Sequence, residues 1–160
     1  ARDPRAGDGA SAESAASPSR GPCLIGAHPG LGYNDGSVVL QLRFAGRSIL
    51  LSGDLEREGE RALVDLAAQQ GVSREPEVVD VLKAPHHCSR TSSGAELLAL
   101  LRPRAVICSV GRRNRFGFPH PEVVSRYAAA GATLFRTDRD GAVQIRVLST
   151  GALHIERTAR

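Results

Sequence analysis

Two adjacent histidines stand in the segment KAPHHCSRTSS, residues 83 to 93, which also holds a cysteine and four hydroxyl side chains. The pair follows a short apolar run, and neighbouring side chains of an extended segment point to opposite sides. One histidine can therefore face a site while the other supports it. A neutral imidazole is a common ligand of divalent metals, and a partner on its second nitrogen fixes its tautomer. A metal or catalytic site is one interpretation of the pair, and a loop without chemistry is the alternative.

A carboxylate stands in a similar position after another apolar run. Asp54 follows the apolar residues 49 to 51, so its side chain leaves the sheet where a strand ends. Asp is among the best residues for the N-cap of a helix, and a helix beginning at Leu55 would use it so. The functional alternative is a metal ligand or a general base.

Arginines follow a third apolar run. No acidic residue occurs between Glu96 and Glu122, whereas five arginines do: Arg102, Arg104, Arg112, Arg113 and Arg115. The planar guanidinium donates two parallel hydrogen bonds to a phosphate, which favours arginine in phosphate sites. A solvated basic edge is the alternative. If a site exists, we expect the last three arginines to rim it.

The elements that must position these residues alternate along the chain. The pattern predicts two strands, then three helix–strand pairs, then a terminal hairpin, which is typical of a layered α/β domain. Ligands of such sheets gather on the loops beyond the carboxyl ends of the strands. A hydroxyl side chain is expected to cap the second helix. The predicted strands are at 37–46, 47–54, 78–84, 104–111, 132–137 and, as a hairpin, 141–158; the helices are at 55–71, 92–103 and 120–131.

Composition limits the function without choosing it. The chain has 160 residues, enough for one domain, and only 4% are aromatic, with no Trp or Met. Its formal charge of +4 permits a polyanionic partner but does not require one. Of the 21 basic residues, Lys83 is the one lysine. No segment approaches the roughly 20 consecutive apolar residues that span a bilayer.

The three cysteines are an odd number without CxxC spacing. This argues against a disulfide framework and against a four-cysteine zinc site. For Cys88 the interpretation is a small buried thiol. Residues 1–22 have the composition of a flexible linker, and residues 23–160 are expected to form the folded part. The first residue is not Met, which suggests a fragment of a longer protein.

Four segments resemble a known family, in register and in the same order. They are NDGSVVLQLRFAGRSILLSGDLEREGERAL, VLKAPHHCSRTSS, AVICSVGRRNRFGFPHPEVV and FRTDRDGAVQI. Together they are similar to the metallo-β-lactamase-like domain of ComEC-type DNA-internalisation (competence) proteins. The resemblance covers residues 34 to about 147.

The resemblance implies an αββα sandwich, of which this chain supplies mainly the second ββαβαβαβ half. It also implies a divalent metal, zinc or manganese, that activates water for attack on a phosphodiester. Asp54 would be the metal-bridging and catalytic carboxylate. His86 would be the catalytic metal ligand of the histidine pair, with His87 as second ligand or support, and we expect His86 to face Asp54. The substrate-binding positions would be Asn34, Ser37, Ser89, Arg112, Arg113, Asn114, Arg115 and His120.

The chain departs from the family pattern in three places. It has no HxHxDH cluster, its HHCS stands where HHGS is usual, and Phe118 stands where a histidine usually precedes PH. One Asp and one His would hold a metal weakly, since hydrolytic sites usually have three or more protein ligands. The fragment alone is therefore expected to bind no metal firmly and to be inactive.

Three functions follow from these observations. The first is part of a metal-dependent phosphodiesterase or nuclease acting on DNA during natural transformation. The second is a catalytically inactive DNA- or partner-binding module of the same fold, and the third is a metallo-β-lactamase-fold hydrolase unrelated to DNA uptake. The resemblance implies a soluble domain of a bacterial inner-membrane protein, with DNA and the transmembrane channel region of the parent as partners. An exposed apolar sheet face also predicts a homodimer of the fragment.

Overall fold

The computed structural model describes residues 31–69 and 78–158, and the backbone alone of residues 23–25. The predicted linker at 1–22 lies outside the described residues. The described strands are β1 (Cys23–Ile25), β2 (Val39–Phe44), β3 (Arg47–Leu51), β4 (Val81–Lys83), β5 (Ala105–Cys108), β6 (Thr133–Arg136), β7 (Val143–Val147) and β8 (Leu153–Arg157). The helices are α1 (Arg57–Gln69), α2 (Ala95–Leu101), α3 (Pro121–Ala129) and the single turn α4 (Thr137–Asp140).

Six strands form one sheet in chain order, β1-β2-β3-β4-β5-β6. The strands β1, β2 and β3 pair antiparallel, whereas β3, β4, β5 and β6 are parallel. The helices α1, α2 and α3 supply the three crossovers between the parallel strands. The order of strands and helices predicted from the sequence is confirmed. The parallel arrangement brings the carboxyl ends of β3, β4 and β5 to one edge of the sheet.

Alternate residues of the strands face the helices. Leu50, Leu82 and Val106 lie on this face and are at most 4% exposed. They pack in one cluster with the apolar side of the helices, including Leu97 and Tyr127. The period of two along each strand thus sorts the aliphatic residues into a core below the sheet.

The opposite face is covered by the hairpin of β7 and β8 over part of its width. Val81, Ala105 and Phe135 pack there against apolar residues of the hairpin. The β2–β3 side is left open, because Leu42, Phe44 and Leu51 are 40%, 57% and 37% exposed. Among the strands whose side chains are described, the exposed sheet face predicted from the sequence is therefore present on the β2–β3 side and not on the β4–β6 side.

The caps considered for two helices are not formed, because carboxylates distant in sequence accept from the helix N–H groups. Asp54 does not cap α1; instead Asp35 Oδ1 accepts from the backbone N–H groups of Glu56 and Gly59 at 2.7 and 2.8 Å. At α2 no hydroxyl side chain caps the helix, whose N-cap residue is Gly94. Glu60 of α1 accepts the hydrogen bond from Gly94 N at 2.7 Å.

The cysteines also depart from the prediction. Cys88 and Cys108 form a disulfide across 20 residues, and both are fully buried. The expectation of a buried thiol at Cys88 is therefore wrong about the thiol and correct about burial. Among the described residues no helix is both long and apolar enough to cross a membrane.

Candidate functional site

A cleft opens at the edge where the parallel strands end. Its cavity is about 850 Å³ and is lined by residues that follow β3, β4 and β5. The lining consists of Asp54, His86, His87, Ser109, Val110, Gly111, Asn114, Phe116 and Phe118. The sequence therefore brings the carboxylate, the histidine pair and part of the arginine-rich loop to one place, as the carboxyl-edge rule for α/β sheets predicts.

The histidine pair sits on a left-handed turn, Pro85–Cys88. His86, His87 and Cys88 have φ values of 41°, 53° and 64°, a region that residues other than glycine rarely adopt. Ser92 holds the turn by donating its hydroxyl hydrogen bond to Pro85 O at 2.9 Å. Cys88, which stands where HHGS has glycine, thus has a backbone conformation typical of glycine, and its disulfide ties the turn to the end of β5.

His87 faces the carboxylate. Its Nε2 lies 3.4 Å from Asp54 Oδ1, and its Nδ1 lies 2.7 Å from Ser109 O. A carbonyl only accepts hydrogen bonds, so Nδ1 carries the proton and Nε2 of the neutral ring has a free lone pair. Two acceptors then face each other across 3.4 Å. A cation between them is favourable in that arrangement.

His86 points to the other side of the turn. Its Nδ1 lies 3.0 Å from Glu56 Oε1, but the pair lacks hydrogen-bond alignment, and this buried nitrogen has no hydrogen-bond partner. Its ring meets Phe118 edge to face, with centroids 5.9 Å apart. The sequence led us to expect His86 towards Asp54 and His87 in support; the structure has the opposite arrangement.

Lys83 adds a charge that the sequence-based site lacked. Its ammonium donates to Gly53 O at 2.9 Å and lies 3.5 Å from Asp54 Oδ1. Burial lowers the pKa of Lys83, while the Asp54 carboxylate acts in the opposite direction. Its rarity was the available signal, because Lys83 is the one lysine beside 20 arginines. Asp54 therefore lies between an ammonium and an imidazole.

The remaining predicted site residues occupy three kinds of position. Ser37 and Asn34 bond to residues that follow β3: Ser37 Oγ accepts from the backbone N–H of Asp54 at 3.0 Å, and Asn34 Nδ2 donates to Glu56 Oε1 at 2.9 Å. Ser89 is buried and pairs with Thr91 through their hydroxyls at 3.0 Å. None of these three lines the cleft among the described residues. Their substrate-binding role stays a prediction.

His120 and the loop after β5 complete the set. His120 is the N-cap of α3, and its Nδ1 accepts from Glu122 N at 3.4 Å. Asn114 lines the cleft, but its side-chain amide bonds to the loop backbone. The three predicted arginines of this loop are exposed, and none takes part in an ion pair between described residues: Arg112, Arg113 and Arg115.

A buried polar network supports the turn from behind. Glu60, 4% exposed, accepts from Ser93 N and Gly94 N, and burial raises the pKa of its carboxyl. The hydroxyls of Ser93 and Tyr127 pair at 2.5 Å, and burial raises the pKa of Tyr127. Arg126 donates to Ser93 O at 3.0 Å. The network joins α1, the hydroxyl-rich loop and α3 beneath the histidine turn.

The donors in the cleft do not fit a complete hydrolytic metal centre. Asp54 and His87 converge, but no group of three or more His, Cys, Asp or Glu in the described part of the chain could hold a metal ion. The Lys83 ammonium beside Asp54 Oδ1 further weakens that oxygen as a ligand. A hydrolytic metal generally needs at least three protein ligands. The described residues thus supply at most part of such a centre.

Comparison with known proteins identifies the family of the chain. Residues 24–112, more than half of the chain, match the family model described as the metallo-beta-lactamase superfamily. The chain belongs to the metallo-β-lactamase superfamily. The mixed sheet, with helices on one face and the polar loops at its carboxyl edge, is a partial metallo-β-lactamase fold, as the sequence predicted.

Curated relatives lie among competence proteins. The chain is 36% identical over 114 residues to ComE operon protein 3 of Bacillus subtilis (strain 168), covering 71% of this chain and 14% of that protein. It is 35% identical over 111 residues to Competence protein ComA of Neisseria gonorrhoeae, covering 69% and 15%. It is 32% identical over 112 residues to Recombination protein 2 of Haemophilus influenzae, covering 70% and 13%. The resemblance seen in the sequence is confirmed, and the chain spans about one seventh of each relative.

Proposed function

We propose that this chain is the part of a metallo-β-lactamase-fold domain that binds DNA during natural transformation. The observation that carries the proposal is the cleft itself, where an exposed loop bearing three arginines adjoins the Asp54–His87 pair. Two of the relatives are named for competence or for the ComE operon, and one for recombination. Those names support DNA as the polyanion.

The arginines would hold the polynucleotide backbone. Arg112 and Arg113 follow β5 at the mouth of the cleft and have no competing carboxylate among the described residues. Guanidinium groups bind phosphate without reading the base, so binding is independent of sequence and weakens with salt. Lys83 would reduce the repulsion between Asp54 and a phosphodiester, because its ammonium lies 3.5 Å from the carboxylate.

Hydrolysis of the phosphodiester is the finer part of the proposal. Metallo-β-lactamase proteins generally use divalent metals, and zinc or manganese would supply a nucleophilic water. Asp54 and His87 would contribute ligands to that centre in the complete domain, while the described residues leave it incomplete. The role of this chain's own residues is to bind and orient the backbone.

An inactive binding module is the second candidate. The two-donor set and Phe118, which occupies the position of a usual family histidine, both favour it.

Two further partners remain proposals. They are the transmembrane region of a parent protein and a second copy of the chain docked on the open β2–β3 face. Leu42 and Leu51 would form the apolar centre of that dimer.

The salt dependence of DNA affinity tests the binding proposal. We expect the double variant Arg112→Gln with Arg113→Gln to bind a labelled single strand more weakly and to reduce the slope of log K against log salt by about 1.4, or about 0.7 per lost phosphate contact. Fluorescence anisotropy between low and physiological salt measures it. Arg102→Gln with Arg104→Gln is the matched control, since these exposed arginines precede β5 at its other end. An equal change in both double variants would contradict a site at the carboxyl edge.

A further inference from the structure

The loop between β5 and α3 holds two phenylalanines on a braced backbone. Asn114 Nδ2 donates to Phe118 O at 2.8 Å and to Gly111 O at 3.1 Å, and Asn114 Oδ1 accepts from Phe118 N at 2.8 Å. One side chain therefore ties both ends of the loop together. The rings of Phe116 and Phe118 are presented on a backbone that this amide holds in place.

The two rings form a flat apolar shelf in the cleft. They stack with centroids 5.6 Å apart and planes 22° apart, and the Phe118 ring meets His86 at 5.9 Å. Phe116 is 65% exposed although it lines the same cavity as Asp54 and His87. What distinguishes Phe116 from other exposed apolar side chains is that its ring is stacked with a second ring at the cleft, so the pair offers a planar apolar surface to a ligand.

One cation lies against the shelf, and two more are on the same loop. The Arg115 guanidinium lies 5.2 Å from the centroid of the Phe116 ring, and Arg112 and Arg113 are exposed on the same loop. An aromatic platform flanked by positive charge is how proteins hold single-stranded nucleic acid: the bases stack on the rings while the cations follow the backbone. A duplex offers no such contact, because its base faces are already stacked on each other.

We propose that Phe116, supported by Phe118, stacks an unpaired base of a single-stranded DNA whose phosphates lie along the arginine loop. The inference rests on the proposed DNA binding and adds to it the state of the strand. Phe116 is then a positioning residue: it places the phosphodiester next to its stacked base over the Asp54–His87 pair. Phe44 provides a comparison, since it is 57% exposed but lies on the open sheet face outside the cleft.

The absence of tryptophan from the chain makes the test direct. Phe116→Trp introduces a single fluorophore on the shelf, and Phe44→Trp introduces one on the sheet face. We expect oligothymidylate to quench Trp at position 116, and an abasic oligonucleotide of equal length or a blunt duplex to leave it unchanged. The fluorophore at position 44 should respond to none of them.

Affinity measurements complete the test. Phe116→Ala should weaken oligothymidylate binding about tenfold, the scale of one lost base stack, and leave the abasic strand unaffected. Phe116→Leu, which keeps an apolar side chain but no ring face, should lose as much. Equal losses of affinity for oligothymidylate and the abasic strand would contradict base stacking on the shelf. So would equal quenching of Trp at position 116 by duplex and single strand.

The outcomes separate the two proposals. If the unmodified chain binds neither strand, the proposed DNA binding fails and the shelf fails with it. If both strands bind with the expected salt dependence and Phe116→Ala changes neither, the shelf alone is wrong. If Phe44→Ala weakens oligothymidylate binding as much as Phe116→Ala, the bases contact the sheet face and the inference is overturned.

Discussion

Two polar regions lie beside the histidine turn, and they use their polar groups in opposite ways. Behind the histidine turn, Glu60 is 4% exposed and accepts two backbone hydrogen bonds, and Tyr127 is fully buried against Ser93. In the cleft, the Asp54 side chain is 44% exposed and its neighbours His87 and Lys83 approach only to 3.4 and 3.5 Å.

The contrast distinguishes polar groups that stabilise the fold from polar groups that can bind a ligand. Buried polar groups are costly unless every donor and acceptor is matched, so a fully matched network stabilises the fold. The polar groups in the cleft have unused capacity for hydrogen bonds and ion pairs, which a ligand can use. The histidine turn, with its positive φ values, lies between the two regions. There the buried network and the disulfide can hold a backbone that residues other than glycine rarely adopt.

The largest expected effect comes from removing one carboxylate from each region. Glu60→Ala should lower the free energy of unfolding by about 3 kcal/mol, because it leaves two buried N–H groups without an acceptor. Asp54→Ala should change it by less than about 1 kcal/mol, the range of exposed ion pairs. Urea denaturation followed by circular dichroism measures both.

A control on the same helix measures how much the loss of an exposed carboxylate changes the free energy of unfolding. Asp65 is exposed on α1, and Asp65→Ala should stay within about 0.5 kcal/mol of the unmodified chain. The comparison between the two regions breaks down if Asp54→Ala is as costly as Glu60→Ala.

A smaller effect is expected at the left-handed turn. In a background with Cys108→Ala, the variant Cys88→Gly should be more stable than Cys88→Ala by about 1 kcal/mol, because glycine adopts a φ of 64° without penalty. Chemical denaturation under reducing conditions measures the difference. Thiol titration of the unfolded chain should find two fewer thiols before reduction than after it, because Cys88 and Cys108 form a disulfide. Equal stabilities for glycine and alanine would show that the backbone at this turn relaxes.

The sequence predicted the parts of this molecule that depend on local pattern. Strand and helix order follow from the spacing of Val, Leu and Ile, and the site's position follows from polar residues at strand ends, as at Asp54 and Ser109. The caps could not be predicted in this way, because Asp35 and Glu60 act from other segments. The same holds for the disulfide, whose two cysteines meet only when β4 and β5 pair.

The histidine pair shows why side-chain direction was harder. Extended backbone would alternate the two rings, and the family resemblance, which made His86 the metal ligand, put that ring towards Asp54. The left-handed turn rotates the pair, so His87 faces Asp54 and His86 meets Glu56 and Phe118. Phe116 was missed because exposure, which marks it, is a property of the folded chain.

Histidine NMR tests the central claim, that single-stranded DNA binds in the cleft at the carboxyl edge, most directly. The chain has five histidines, and ring signals of histidine-labelled protein can be assigned with one His→Gln variant each. At saturation with oligothymidylate, the signals of His86 and His87 should shift, while that of His154, exposed on β8, should not. A shift of His154 with unchanged His86 and His87 signals would place the DNA elsewhere and contradict the account.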